Sequence, residues 1–377
     1  MSGPPKQSVS SHIRSEIIRA RTVVRSHIVK LNERAPSRTD VGRERVLFID
    51  VLRLFSLLLI VSYHFNAELL QLFPQARIVF DMVMFRQPVG DVGVTLFIML
   101  SGASLMSSAR AGEKYGAFLY RRGMAIFPSY WIAYLAVTAA LFFVRGSLQG
   151  NGEPWKIPLT VIGIDGFLGS LTNSYYYLVG EWFLGFILLT YLFFPILSKL
   201  VSRYPTLTFG GVIVFSVAAT YVCRHVTWLP TLHNPLVRLP DFFFGMSYAR
   251  YRLDKKWSCG VAGGIAVILA PHLPEWLPEE IPAVMLGAGI TAVTGAVCNF
   301  VRPTPGVQGA ITRLAALSFL AFLVHHWVIY LSVPRFNVSN LSRGELYYLF
   351  AIDVAISFLI AKLLQRPSEA IRKMLQV

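Results

Sequence analysis

Ten apolar stretches follow one another along this chain, near residues 47–67, 89–108, 124–144, 178–200, 207–223, 236–251, 259–274, 281–300, 312–333 and 344–364. A helix needs about 20 apolar residues to cross the hydrocarbon core of a bilayer. Backbone polar groups cannot stay unpaired in lipid, so stretches of this kind read as helices. Only 15% of the 377 residues are charged, against roughly a quarter in soluble globular chains. Lipid must therefore cover much of the surface. The sequence predicts an all-α polytopic integral membrane protein with about ten transmembrane helices. The stretch at 236–251 is the shortest fit, because Arg238 and Asp241 fall inside it.

The formal net charge is +15. In a soluble protein that excess would raise nucleic acid as a partner; here the positive-inside rule accounts for it, and no nucleic acid is expected. With the N-terminus inside, Arg110, Lys114, Arg121, Arg122, Arg203, Arg252, Lys255, Lys256, Arg302, Arg366, Arg372 and Lys373 fall on the cytoplasmic side. Arg77, Arg86, Arg145, Lys156, Arg224, Arg335 and Arg343 fall outside. That is roughly a twofold bias, and it predicts cytoplasmic N- and C-termini. Three parts follow: a basic arm at 1–45, a transmembrane domain at 46–365 and a basic tail at 366–377. In the arm, Ile13, Ile17, Val24, Ile28 and Leu31 recur at helical spacing among arginines. Such an arm is either an amphipathic helix on an anionic leaflet or a disordered basic segment. No signal-peptide pattern precedes the first apolar run. Cys223, Cys259 and Cys298 form no CxxC pair, so neither a disulfide framework nor a metal site is expected.

Ionisable groups inside spanning helices are costly, so each is a functional candidate. Arg53 and His64 lie in the first stretch, eleven positions apart. At 3.6 residues per turn they share a helix face, about 16 Å apart along the axis. An arginine grips phosphate through a planar fork of donors. A histidine takes a proton from a hydroxyl near neutral pH. Coenzyme A, with phosphates at one end and a thioester at the other, suits that spacing. A second reading pairs Arg53 with Asp50 and leaves His64 as a packing side chain. Arg121-Arg122, at the cytoplasmic end of the third stretch, is a charge cluster that could add phosphate contacts. Glu181, Asp241 and one of His325 and His326 share the outer half of the membrane with His64. Four helices placing polar groups at one depth is more than packing requires.

Taken in order, these segments resemble the acyltransferase-3 family of membrane O-acyltransferases, which act on surface glycans and related acceptors. The match comprises Arg53 and His64; Gly90 through Ser101-Gly102; Arg121-Arg122 before Pro128; Trp182-Phe183-Leu184 with Tyr191 and Pro195; Phe243 with Gly245; and Ser318 with His325. It covers about 46–364. One departure is Ala125, where the family often carries a further arginine. The resemblance implies an acyl-CoA donor, acetyl-CoA above all, that is a substrate and not a resident cofactor. It implies a hydroxyl acceptor on a glycan or lipid-linked sugar, and a place in the bacterial inner (cell) membrane among its lipids. It assigns catalytic roles to His64 as general base, Glu181 and His325, and donor binding to Arg53, Arg121 and Arg122. A transporter or flippase of a glycan or lipid-linked substrate is the rival class, since buried polar groups at mid-depth also line substrate pathways.

Overall fold

A computed structural model of the chain describes residues 47–110, 112–146, 153–169, 179–225, 230–301 and 303–376. The basic arm at 1–45 lies outside the described residues. Eleven helices are present among the described ones: α1 Leu47–Leu72, α2 Val89–Ser107, α3 Tyr115–Arg145, α4 Ile157–Val161, α5 Glu181–Arg203, α6 Pro205–His225, α7 Leu239–Arg250, α8 Trp257–Leu269, α9 Glu280–Phe300, α10 Pro305–Ser332 and α11 Arg343–Met374. Eight of them are long and apolar enough to cross a membrane. The protein is an all-α polytopic membrane protein, with one exception to the helical pattern. Val83–Met84 (β1) and Gln87–Pro88 (β2) pair antiparallel in a minimal hairpin ahead of α2.

Two of the ten expected spans are shorter than a bilayer is thick. Helix α7 has 12 residues, and α8 reaches only Leu269 before a 3₁₀ turn at Ala270–His272. Helix α7 survives because protein and not lipid surrounds it: Phe242, Phe243, Met246 and Tyr248 are all buried. Its axis lies against α2 at very short range. A Cβ on Gly102 would collide with the Phe242 carbonyl, and one on Gly245 with the Met99 carbonyl. Small residues allow that approach, and dispersion replaces the missing hydrophobic drive between helices in lipid.

The contacts fix relative helix directions. Asp50–Thr312 and His64–His325 lie fourteen residues apart on α1 and thirteen apart on α10, so these helices run parallel. Ser332–Asp353 joins the end of α10 to the first half of α11, and Tyr120 near the start of α3 reaches the carbonyl of Leu375 beyond α11. Every one of these pairs agrees with helices that alternate across a bilayer. A buried core joins α1, α3, α10 and α11. Others join α2, α5 and α7, and α1, α2, α7 and α9. Helix α2 thus stands against α1 and α7 and carries the inner wall of the site.

Helix boundaries depart from the hydropathy pattern in informative ways. Helix α3 begins at Tyr115, so Arg121 and Arg122 sit inside the helix and not in a loop. Helix α11 continues through Pro367 to Met374, absorbing most of the segment read as a separate tail. Residues 153–169, read as part of an outer loop, are pinned at the middle of α3. Tyr130 donates to the Thr160 carbonyl at 2.6 Å and Trp131 Nε1 to the Val161 carbonyl at 2.8 Å. The segment keeps its own polar groups satisfied: Thr160 donates to Asp165 at 2.7 Å, and Asp165 accepts from the Gly166 amide. Irregular backbone at such depth is tolerated when protein buries it.

Candidate active site

The site has two ends, both built on α1. At the end nearer the C-terminus of α1, expected from the charge bias to face outward, His64 Nδ1 lies 2.9 Å from His325 Nε2. The parallel packing of α1 against α10 brings these rings together. His325 is buried, and its Nδ1 lies 2.5 Å from the Phe322 carbonyl. A carbonyl can only accept, so Nδ1 of His325 carries the proton. In the neutral ring Nε2 is then the acceptor, and His64 donates to it through Nδ1. That tautomer leaves the basic lone pair of His64 on Nε2. Arrangements of this kind fix which nitrogen can act as a base.

His326 meets the same pair edge-on, its ring centroid 3.9 Å from that of His64. One ring nitrogen from each of His64, His325 and His326 can be chosen so that the three lie within 4.8 Å of one another. Chemically this is a donor set that a zinc-class ion could bridge. The sequence predicts no metal site and leaves open which of the two late histidines faces His64; in the structure both stand against it.

At the other end of the face, Arg53 Nη2 donates to Ser104 Oγ at 3.3 Å, and its Nη1 lies 3.6 Å from Asp50 Oδ1. Asp50 also accepts from Thr312 at 3.0 Å. The Asp50–Arg53 pair raised from the sequence is therefore real, and Arg53 still reaches the next helix. Arg122 Nη2 donates to Ser108 at 3.1 Å, and its Nε is buried with no partner among the described residues. Tyr191 on α5 lies beside Ser101 and within electrostatic reach of both Arg53 and Arg122. Ser101, Ser104 and Ser108 recur at helical spacing, so one face of α2 and the residue just past it gather two guanidinium groups and a phenol. Like-charged forks held together by hydroxyls make a cradle for an anion.

Arg121 goes elsewhere. It grips Glu113 through two bonds, Nε to Oε1 at 2.8 Å and Nη2 to Oε2 at 2.6 Å. Glu113 lies in the loop ahead of α3, and the hydrogen bond from Arg121 is the main reason its carboxyl is held below the ordinary range. Both arginines stand over the Phe118 ring, at 5.7 and 5.9 Å. The backbone of Glu181 opens α5, but its side chain lies outside the described residues. Asp241 does not join the histidines: it pairs with Arg238, both fully buried, and Arg238 also donates to Thr95 at 2.5 Å. That clamp ties α7 to α2 instead. Ser104 and Ser108 were missed in the sequence, although their spacing from Ser101 is a readable signal. Tyr191 entered only as part of an ordered pattern.

Comparison with known proteins bears on what this arrangement does. The family described as an acyltransferase domain matches residues 46–362. The chain is 24% identical to the acyltransferase MdmB of Streptomyces mycarofaciens over 295 residues, covering 69% of this chain and 72% of that protein. It is 27% identical to the succinoglycan biosynthesis protein ExoH of Rhizobium meliloti (strain 1021) over 198 residues, 48% of this chain and 50% of that one.

Proposed function

The chain belongs to the acyltransferase-3 family, and from that premise we propose that this membrane acyltransferase moves an acyl group, acetyl foremost, from cytosolic acyl-CoA to a hydroxyl of a glycan or lipid-linked sugar. Arg53 and Arg122 bind the phosphates of the donor, and Arg121 holds the neighbouring loop through Glu113. The pantetheine arm extends along α1 toward His64. His64 Nε2 takes the proton of the acceptor hydroxyl as its oxygen attacks the thioester carbonyl. The new ester bond forms, the carbon–sulfur bond breaks, and the coenzyme A thiolate leaves, to be protonated from His64. His325 holds the ring of His64 in the tautomer that can accept, and stabilises the imidazolium that forms between the two steps.

One observation carries this reading: the 2.9 Å contact of His64 Nδ1 with a His325 whose other nitrogen faces a carbonyl. A packing histidine would need no such orienting partner. The inner bias of lysine and arginine supports the cytosolic side for the arginine end and the outer side for the histidines. The family and the glycan-related name of one relative support the membrane and the acceptor in this reading. The test is transfer of radiolabelled acetyl from acetyl-CoA by purified protein in nanodiscs, alone and with an extracted surface-glycan precursor. Uptake of a glycan into sealed vesicles without any labelled product would favour the transporter reading instead.

A further inference from the structure

A cavity of about 550 Å³ lies between α3, α10 and α11. Its walls are apolar: Val137 and Leu141 of α3, Val328 and Leu331 of α10, and Ile352 and Ile356 of α11 all face it. Ile356 and Phe336 line it yet are 38% and 44% exposed. The cavity therefore opens at the outer surface of the helices, which in this protein faces lipid. The lining positions Val324, Val328 and Leu331 recur at helical spacing on α10, and Arg335 lies in the 3₁₀ turn just past it. That stripe lies on a different face from His326, so the cavity is not the histidine pocket.

One wall holds a group that an empty apolar space does not explain. Asp353 is 0% exposed and lines the cavity. Its Oδ2 accepts from Ser332 at 2.7 Å. Its Oδ1 is buried with no hydrogen-bond partner among the described residues. A buried carboxylate oxygen without a donor is costly, and more so at membrane depth. A hydrocarbon chain alone would fill the volume but leave that cost in place. The volume falls in the range of small-molecule sites, about 300–1,000 Å³. The one other charged side chain in the lining is Arg335, exposed on the rim. A cation there disfavours an ammonium ligand and leaves a neutral donor, and the hydroxyl is the simplest one that a membrane lipid carries.

We propose that this cavity binds a hydroxyl-bearing membrane lipid, its hydrocarbon body between α3, α10 and α11 and its hydroxyl donating to Asp353 Oδ1. The site stands independently of the transfer chemistry proposed above. It can be tested with the full-length protein in detergent micelles and tritiated dioleoylglycerol as probe. Wild type is expected to bind it saturably, and dioleoylphosphatidylcholine, which lacks the hydroxyl, not to compete. Asp353→Leu removes the acceptor and should weaken binding by about tenfold or more. Val328→Trp fills the cavity and should abolish binding, with Asp353 left in place. Should Asp353→Leu fail to fold as a monodisperse species, Val328→Trp and the phosphatidylcholine competition decide the matter. No saturable binding by wild type, equal competition by phosphatidylcholine, or unchanged binding by both folded variants would each overturn the proposal. None of these outcomes bears on His64 or Arg53, so the failure of one idea is separable from the failure of the other.

Discussion

The two ends of α1 are built from opposite materials. Around Arg53 the structure gathers full charges and hydroxyls: Asp50, Ser104, Arg122 with Ser108, and Tyr191 with Ser101. At the other end it gathers the three rings of His64, His325 and His326, with His325 buried and held by a backbone carbonyl. A permanent charge suits binding, since it does not change during the reaction. A ring that can be neutral or protonated suits proton transfer. On the proposed reading one helix face separates holding the donor from reacting with it, and each half can be broken alone.

The largest effect is expected at the outer end. His64→Gln keeps a hydrogen-bonding side chain but cannot accept a proton at neutral pH. Turnover should fall by about 10²–10⁴-fold, while acetyl-CoA affinity stays near wild type. Acetyl transfer and isothermal titration on the same preparation check both halves. Wild-type turnover in His64→Gln would move the base to another residue and erase the contrast.

At the inner end the expectation reverses. Arg53→Ala should weaken acetyl-CoA binding by about 10- to 150-fold, the equivalent of roughly 1.5–3 kcal/mol for a lost charged hydrogen bond, and turnover at saturation should change far less. Arg53→Lys should recover part of it, because a point charge lacks the fork. Equal affinities in wild type and both variants would leave Arg53 as the structural partner of Asp50 alone.

How far the sequence reached depends on where each contact lies. Arg53 and His64 share one helix, so their spacing was legible from the 3.6-residue turn. Their partners were less so. His325 was placed at the right depth, but its contact with His64 needs α1 and α10 to run side by side, which no local pattern reveals. Arg121 and Arg122 look alike in sequence, yet neighbours on a helix point about 100° apart. Helix α3 starting at Tyr115 turns one toward Glu113 and the other toward Ser108. The ten apolar stretches each became a helix, including α7, whose short length only burial against α2 explains. The segment 153–169 escaped because its depth is set by hydrogen bonds from Tyr130 and Trp131, far away in sequence.

A smaller effect separates a proton relay from a metal centre at the outer end. In the relay His326 serves as an edge-on neighbour of His64, and such aromatic contacts contribute about 0.5–1.5 kcal/mol. His326→Asn should then slow turnover by roughly 2- to 10-fold and chelation should change nothing. Bound zinc near one equivalent by elemental analysis, lost in His326→Asn together with activity, would replace the relay with a metal-centred mechanism.

The smallest effect belongs to Glu113, at the edge of the inner end. Its carboxyl titrates below the ordinary 4.5, first because Arg121 donates to it and also through the field of Arg121, Arg110 and Arg122. A folded-state pKa below the unfolded one means the pair stabilises fully above the ordinary value. That contribution fades as pH drops through the lowered one. Melting temperature should therefore be insensitive to this pair from pH 8 to about 5, and lose its share below about 4.5. The pair lies at the start of α3 with both side chains part-buried, and Gln keeps the size and one acceptor of the side chain. Glu113→Gln should lower the melting point slightly at pH 7 and flatten part of the acid decline, with acetyl-CoA affinity almost unchanged. A loss of affinity as large as that of Arg53→Ala would show that Arg121, once released, matters to the donor site. The inner end would then be a network of three arginines and not a cradle of two.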